Sequence, residues 1–280
     1  MTTGRLGDEL MLCNVSVANL PLQEVIPAAA GAGFDCISVL ARAHRRAVER
    51  DGLTNAELRG LLADHGIRVQ EVEAAGDWLS PVPVADKPWL DPVYESARLL
   101  DLAGELDART LVATHFGAPV VPEVAAEAFA NLCDRAAVRG CRVALEFPAM
   151  ATVADVRSAW GIVALADRPN GGLLVDNWHH RRSDATDDDL AAVPSARILS
   201  IQLSDGTRDP VGPPIEDVVH RALPGHGELG VASFVRDLDQ RGVRCPVGIE
   251  VLQRDIVVPG ANAAAKTLFE SLRAVIQAAR

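Results

Sequence analysis

A short cassette recurs along this chain and restricts its architecture more than any other feature. A helix end carrying glycine or a small residue is followed by a polar residue and then by an apolar run. Copies stand at Ala32-Gly33-Phe34-Asp35, His65-Gly66-Ile67-Arg68, Arg139-Gly140-Cys141-Arg142 and Arg241-Gly242-Val243-Arg244. Glycine ends a helix because it takes the left-handed conformation at no steric cost. Eight apolar runs then read as strands, over residues 11–17, 36–41, 68–74, 110–115, 142–147, 171–177, 198–204 and 246–252. Helical patterns fill the gaps at 21–32, 54–65 with Thr54 as cap, 93–106, 121–138, 152–166 and 229–242, with a short helix after Asp187. A closing helix runs from Asn262, as N-cap, to Ala279. One βα unit about every thirty to forty residues, repeated around eight strands, predicts a single (βα)8 barrel spanning residues 1–280. A doubly wound open sheet is the competing fold. It is disfavoured because no Gly-x-Gly-x-x-Gly follows the first strand and no Pro/Gly-rich linker divides the chain.

Composition removes several functional classes. Net charge is −11, with acidic and basic residues interspersed, so no basic face is offered to nucleic acid or to an anionic membrane. The cysteines, Cys13, Cys36, Cys133, Cys141 and Cys245, are far apart and form no CxxC pair, which reads as buried thiols in a reducing compartment. No apolar signal region opens the chain and no apolar run is long enough to span a membrane, so a cytoplasmic protein is expected.

Reactive side chains in such a barrel sit at the C-terminal ends of strands, because positions further down fill the packed interior. Strand five ends in Glu146, strand six in Asp176, strand seven carries Gln202 and strand eight carries Glu250. Residues two places earlier share their face, and they are Ala144, Leu174, Ser200 and Gly248. Three crowded carboxylates without a counter-charge would repel one another, and a bound divalent cation removes that conflict. Oxygen ligands without cysteine favour a hard ion, Mn²⁺ or Mg²⁺, ahead of Co²⁺ or Zn²⁺. Asp176 and His179, in Asp176-Asn-Trp-His179, also suit an acid/base pair, with helix capping by Asp176 as the plainer reading. His115 and Glu73 end strands four and three and are candidates for the pocket lining, a buried structural role being the alternative. Trp78, Trp89 and Trp178 are candidates to wall the substrate, and the Pro-rich stretch 76–92 to cover it.

Leu145-Glu146, Asp176-x-x-His179, Gln202-x-x-Asp205, Arg221-x-Leu-Pro-Gly225 with Gly227-Glu228, and Ile249-Glu250 occur in an order that resembles the xylose-isomerase-like TIM-barrel superfamily. That resemblance covers nearly the whole chain. It implies metal ligation by Glu146, Asp176, Gln202 and Glu250 and substrate contact by His179 and Arg221. Many members carry histidine where this chain has Gln202, and glutamine there resembles the dehydratase branch. The resemblance therefore implies a divalent-metal-dependent sugar or cyclitol isomerase or epimerase. Its chemistry would be proton abstraction next to a carbonyl by Glu146 or Glu250 through a metal-stabilised enediolate. The alternatives are a dehydratase of a 3-dehydroshikimate-like or inosose-like compound, with His179 as acid or base, and a barrel that binds without catalysis. A small polyhydroxylated carbonyl compound is the expected partner, and a homo-oligomer is left open.

Overall fold

A computed structural model describes residues 4–79 and 95–280. Its strands are β1 (Leu10–Leu12), β2 (Cys36–Leu40), β3 (Arg68–Ala75), β4 (Thr110–Ala113), β5 (Arg142–Leu145), β6 (Gly171–Asp176), β7 (Ile198–Leu203) and β8 (Val247–Ile249). They form a closed barrel in sequence order. Every pairing is parallel, and closure is made by Leu12 of β1 opposite Ile249 of β8. Helices follow the strands and cover the outside, with Leu99, Phe129, Leu268 and Leu272 wholly buried between the two layers. The expected (βα)8 barrel is therefore the fold.

The recurring cassette closes each helix with the same hydrogen bond. The amide after the left-handed residue donates five residues back: Phe34 to Ala29 at 3.1 Å, Ile67 to Leu62 at 2.9 Å, Cys141 to Ala136 at 3.0 Å and Val243 to Leu238 at 3.1 Å. This is a Schellman closure with a buried residue sealing it. A fifth copy, Leu106-Asp107-Ala108-Arg109, has Asp107 in the left-handed position at φ 54° and the bond Ala108 to Ala103 at 2.8 Å. Lacking glycine, it could not be found by a search for glycine.

Several expected boundaries change. β1 stops at Leu12, because the chain turns into a 3-10 helix at Asn14–Val17 instead of continuing as a strand to residue 17. The Asn14 amide donates to Ser38 Oγ at 2.8 Å, so the chain bonds sideways to a side chain rather than along a ladder. A helix at Ala41–Glu49, unforeseen in the sequence, follows β2 directly. The helix expected from residue 152 begins at Val156 with Asp155 as its cap, and the last helix is entered through Gly260, so Asn262 lies inside it. All five cysteines are free, and among the described residues no helix is long and apolar enough to cross a membrane. Trp89, most of the 76–92 stretch and the expected start of the helix at residue 93 lie outside the described residues.

Inside the barrel, side chains taper to fit. Val112, Ala144, Leu174 and Leu199 form one buried cluster and Met11, Cys13 and Cys36 another. Gly248 has no room for a side chain: a Cβ there would meet Cys13 Sγ at 2.6 Å and Met11 Cε at 2.8 Å. That plug supports the polar layer above it.

Candidate active site

Strands β5, β6 and β8 deliver acids to the C-terminal mouth of the barrel. Glu146 follows β5 immediately, its amide donating to Ala113 at 2.9 Å. Glu250 stands in the same way after β8, with its amide on Leu203 at 3.0 Å. Asp176 ends β6 and also caps the helix Asn177–Arg182, accepting the His179 amide on Oδ1 at 2.9 Å. Cap and site residue are thus one and the same side chain. That cap carries His179 back over the mouth, where ligand atoms of Glu146, Asp176 and His179 all lie within 4.8 Å of one another.

Arg221 occupies the centre of this group. Its guanidinium is wholly buried and lies 4.7 Å above the Trp178 ring. Nη1 donates to Asp176 Oδ2 at 2.7 Å and to Glu250 Oε1 at 3.2 Å, and Nη2 stands 2.9 Å from His179 Nε2. The expectation that the carboxylates lack a counter-charge is therefore corrected, since an arginine supplies one. Asp205 holds the loop that brings Arg221 there. Its carboxylate accepts the amides of Gly206 and Leu229, both at 2.9 Å, and of Gly225 at 3.1 Å, while its backbone pairs with Ala222.

These contacts set the protonation states. Burial opposes ionisation of Asp176, but Arg221 and His179 outweigh it and hold its pKa below the usual carboxylate value. Glu146 is pushed well up, by burial first and then by the charges of Glu250 and Asp176. Burial pushes Glu250 up to about 8 against the pull of Arg221. His179 falls to about 3, again chiefly through burial, with Asp176 opposing and Arg221 reinforcing. At neutral pH the ring is therefore uncharged, and its pKa lies well below the near-neutral intrinsic value. Its Nδ1 faces the Ala149 amide at 3.2 Å while Nε2 faces Arg221, yet a neutral imidazole has a single acceptor nitrogen. One of those two contacts therefore lacks a hydrogen-bond acceptor.

Gln202 lies beside Asp176 in the β6–β7 register and beside Gly248 in the β7–β8 register. Both of its amide atoms are buried with no hydrogen-bond partner among the described residues. An orphaned carbonyl oxygen beside Asp176, whose carboxylate stands within 4.8 Å of ligand atoms of Glu146 and His179, suits a divalent cation, so the residues fit the expected metal.

A family assignment follows from this order of residues on this barrel. Residues 26–275 match the xylose isomerase-like TIM barrel family. The chain belongs to that family. Among curated relatives of this xylose isomerase-like barrel, 3-dehydroshikimate dehydratase of Pseudomonas aeruginosa is 28% identical over 250 residues, covering 84% of this chain and 37% of that protein. Inosose isomerase of Halalkalibacterium halodurans is 27% identical over 148 residues, covering 52% of each. The chain thus spans about a third to a half of the length of these relatives. Among solved structures, the IOLI protein with a bound zinc atom superposes with a TM-score of 0.83 at 18% identity, over 96% of this chain and 98% of that one.

A cavity of about 150 Å³ opens above the cluster and is lined by Glu73, Glu146, His179, Arg221 and Glu250. Three expected lining residues among those described do not reach it. His115 points behind the wall, with Nε2 3.0 Å from the Ala118 carbonyl and its ring edge-on to Trp78. Trp178 is fully buried beneath Arg221 and Arg182, so it supports the arginine and makes no cavity wall. Trp78 likewise is tied down, its indole donating to the Thr114 carbonyl at 2.8 Å. Thr114 and Phe116, flanking His115, take the lining positions instead, as strand alternation requires. The remaining wall is not legible in the sequence: Val15, Leu40, Pro148, Met150, Ile215, Val218 and Leu252 come from five separate parts of the chain and make it apolar. Glu71, two residues before Glu73, is buried beneath the site with neither carboxyl oxygen partnered, and burial followed by the charge of Glu73 pushes it up to about 8.

Proposed function

We propose that this barrel is a divalent-metal-dependent enzyme that removes a proton from carbon next to a carbonyl group of a small ring or sugar-like compound. Isomerisation or epimerisation is its outcome on this reading. The carrying observation is the junction of Glu146, Asp176, His179, Arg221 and Glu250 around one cavity beside the unpartnered amide of Gln202. Glu146, Asp176, Gln202 and Glu250 would hold the cation, which when bound polarises the substrate carbonyl as a Lewis acid.

The chain's own groups account for the rest. A catalytic base works best with a pKa near the operating pH, and burial brings Glu250 to about 8 and Glu146 upward in the same direction. Both line the cavity; their raised pKa values favour the protonated forms, a bound cation would favour the ionised form of one as the base, and the other, still protonated, can return a proton to a different face or a neighbouring carbon. Arg221, held by Asp176 and Glu250, offers its positive charge where the carbonyl oxygen gains electron density. His179, neutral and fixed through Ala149, positions a substrate hydroxyl by hydrogen bonding. Apolar walls from Leu40, Phe116, Met150 and Leu252 favour a compact ring with one polar edge over a long open-chain polyol.

A second outcome on the same site has its own support. Gln202 in place of histidine and the similarity to 3-dehydroshikimate dehydratase both favour loss of a β-hydroxyl after the proton is removed. Incubation with Mn²⁺, Mg²⁺, Co²⁺ or Zn²⁺ in deuterated water, with a panel of inososes, ketoses and 3-dehydroshikimate, tests the reading. Deuterium at the carbon beside the carbonyl is expected, and the product separates rearrangement from dehydration. Absence of metal binding, with no exchange on any compound, would refute it.

A further inference from the structure

The opposite end of the barrel carries a second charged cavity. Its volume is about 460 Å³, the space of roughly fifteen waters at ~30 Å³ each, and four arginines line it: Arg5, Arg109, Arg142 and Arg244. The helix-closing cassette builds most of this ring. Arg109, Arg142 and Arg244 each stand two residues after the left-handed residue, Asp107, Gly140 or Gly242, and so arrive at the starts of β4, β5 and β8 on one rim.

Charge is left over there. The lining carboxylates are already engaged, Asp8 by Arg280 at 3.0 Å and Glu9 by Arg68 at 3.4 Å. Asp239 takes Arg244 at 2.8 Å and lies 4.0 Å from Arg5. Arg142 has one long bond, 3.4 Å to Thr110 Oγ1, and the Arg109 side chain has no partner among the described residues. An arginine that merely stabilises this rim would saturate backbone carbonyls, as Arg197 does with Arg168 and Gly171. Arg109 and Arg142 do not. The deciding feature is Gln70, which lines the same cavity, is wholly buried, and has both amide atoms without a partner. A buried amide beside two unspent guanidinium groups lacks an acceptor-rich ligand.

We infer that this cavity binds a multiply charged oxyanion, through Arg109 and Arg142 with Gln70 as the neutral donor. Phosphoryl groups and clustered carboxylates share that chemistry. The site is separate from the mouth, since β5 carries Arg142 at one end and leads to Glu146 at the other, about 13 Å away at ~3.3 Å per residue. It operates in an otherwise acidic protein of net charge −11, which raises its selectivity for a small anion over a polyanionic surface.

The test is isothermal titration of the full chain with inorganic phosphate and, separately, citrate, at constant ionic strength held with chloride. Saturable binding of one equivalent is expected. Arg109→Gln and Arg142→Gln should each weaken it by about tenfold or more, as for the loss of a hydrogen bond to a charged group. Lys266→Gln, an exposed change elsewhere, should leave it intact. Binding of phosphate alone assigns a phosphorylated ligand, and binding of citrate alone a polycarboxylate. No saturable heat with either anion, or equal affinity in the wild type and in folded Arg109→Gln, verified by circular dichroism, would overturn the inference.

Discussion

Replacing Arg221 by methionine gives the sharpest test of the electrostatic account. Arg221 and Asp176 are both fully buried and meet at 2.7 Å, which at an effective dielectric of 20 corresponds to a gross attraction of about 6 kcal/mol. Glu250 adds little at neutral pH, because its raised pKa of about 8 keeps it largely protonated. Methionine fills much of the same volume but leaves the Asp176 carboxylate without its counter-charge. Breaking a buried pair from one side costs about 3–5 kcal/mol, because the surviving ion stays desolvated. At roughly 2–4 °C per kcal/mol, the melting temperature should fall by on the order of 10 °C. Guanidinium unfolding of chelator-treated protein at pH 7 measures the loss directly. Asp176→Asn in the Arg221→Met background should recover most of it, because the stranded charge is gone. A loss below about 1 kcal/mol, or a double variant no more stable than Arg221→Met, would show that the pair does not hold this site together.

Further expectations concern neighbouring features. Gln202→Leu removes two unpartnered buried amide atoms, so metal-free protein should be at least as stable as the wild type, while titrated Mn²⁺ should bind at least about tenfold more weakly. A less stable metal-free variant with unchanged Mn²⁺ affinity would remove Gln202 from the ligand set. Gly227→Ala would place a Cβ 2.5 Å from Asp205 Oδ1 and from backbone atoms of Gly206, so a loss of about 1–3 kcal/mol and impaired turnover are expected, and normal stability would contradict the tight loop. His44 is buried against Asn55 and its pKa is lowered by burial. Its contribution is full above the unfolded value near 6.5 and is lost as the pH falls through that value toward the depressed folded pKa. His44→Gln should therefore flatten the fall in stability between pH 7 and pH 5.5, and an unaltered slope would exclude it as a source.

Much of this architecture is legible because it rests on short-range rules. The cassettes at Gly33, Gly66, Gly140 and Gly242 signal helix ends through a conformation that glycine takes freely, and the apolar runs behind them become strands. Asp107 occupies the same conformation without that signal, so its cassette is visible only in three dimensions. Asn14 ends β1 early through a bond to a residue 24 positions away, which no local pattern encodes. The polar ends of the later strands are legible because strand period and barrel geometry fix which side chains share a face. His115 turns away from the cavity between the lining residues Thr114 and Phe116, and Trp178 lies in the helix after β6, where the strand period no longer applies. Arg221 was legible as a site residue, but its insertion between Asp176 and Glu250 depends on a loop fold. The apolar wall is assembled from five distant segments and leaves no trace in any one of them.

Asp205 has a consequence for engineering. It lies three residues beyond Gln202 on the same chain segment, and its carboxylate ties down Gly206, Gly225 and Leu229 on either side of the stretch that carries Arg221. Gln202 and Arg221 are thereby tied together within residues 198–229, with Ser271 of the last helix adding a hydrogen bond to the Pro224 carbonyl and Arg182 an ion pair to Asp217. Gln202, Arg221 and the wall residues Ile215 and Val218 thus travel together as one cartridge, which a graft between barrels of this kind would carry with Ser271 and Arg182, while the wall around Val15, Met150 and Leu252 is exchanged to choose a different substrate.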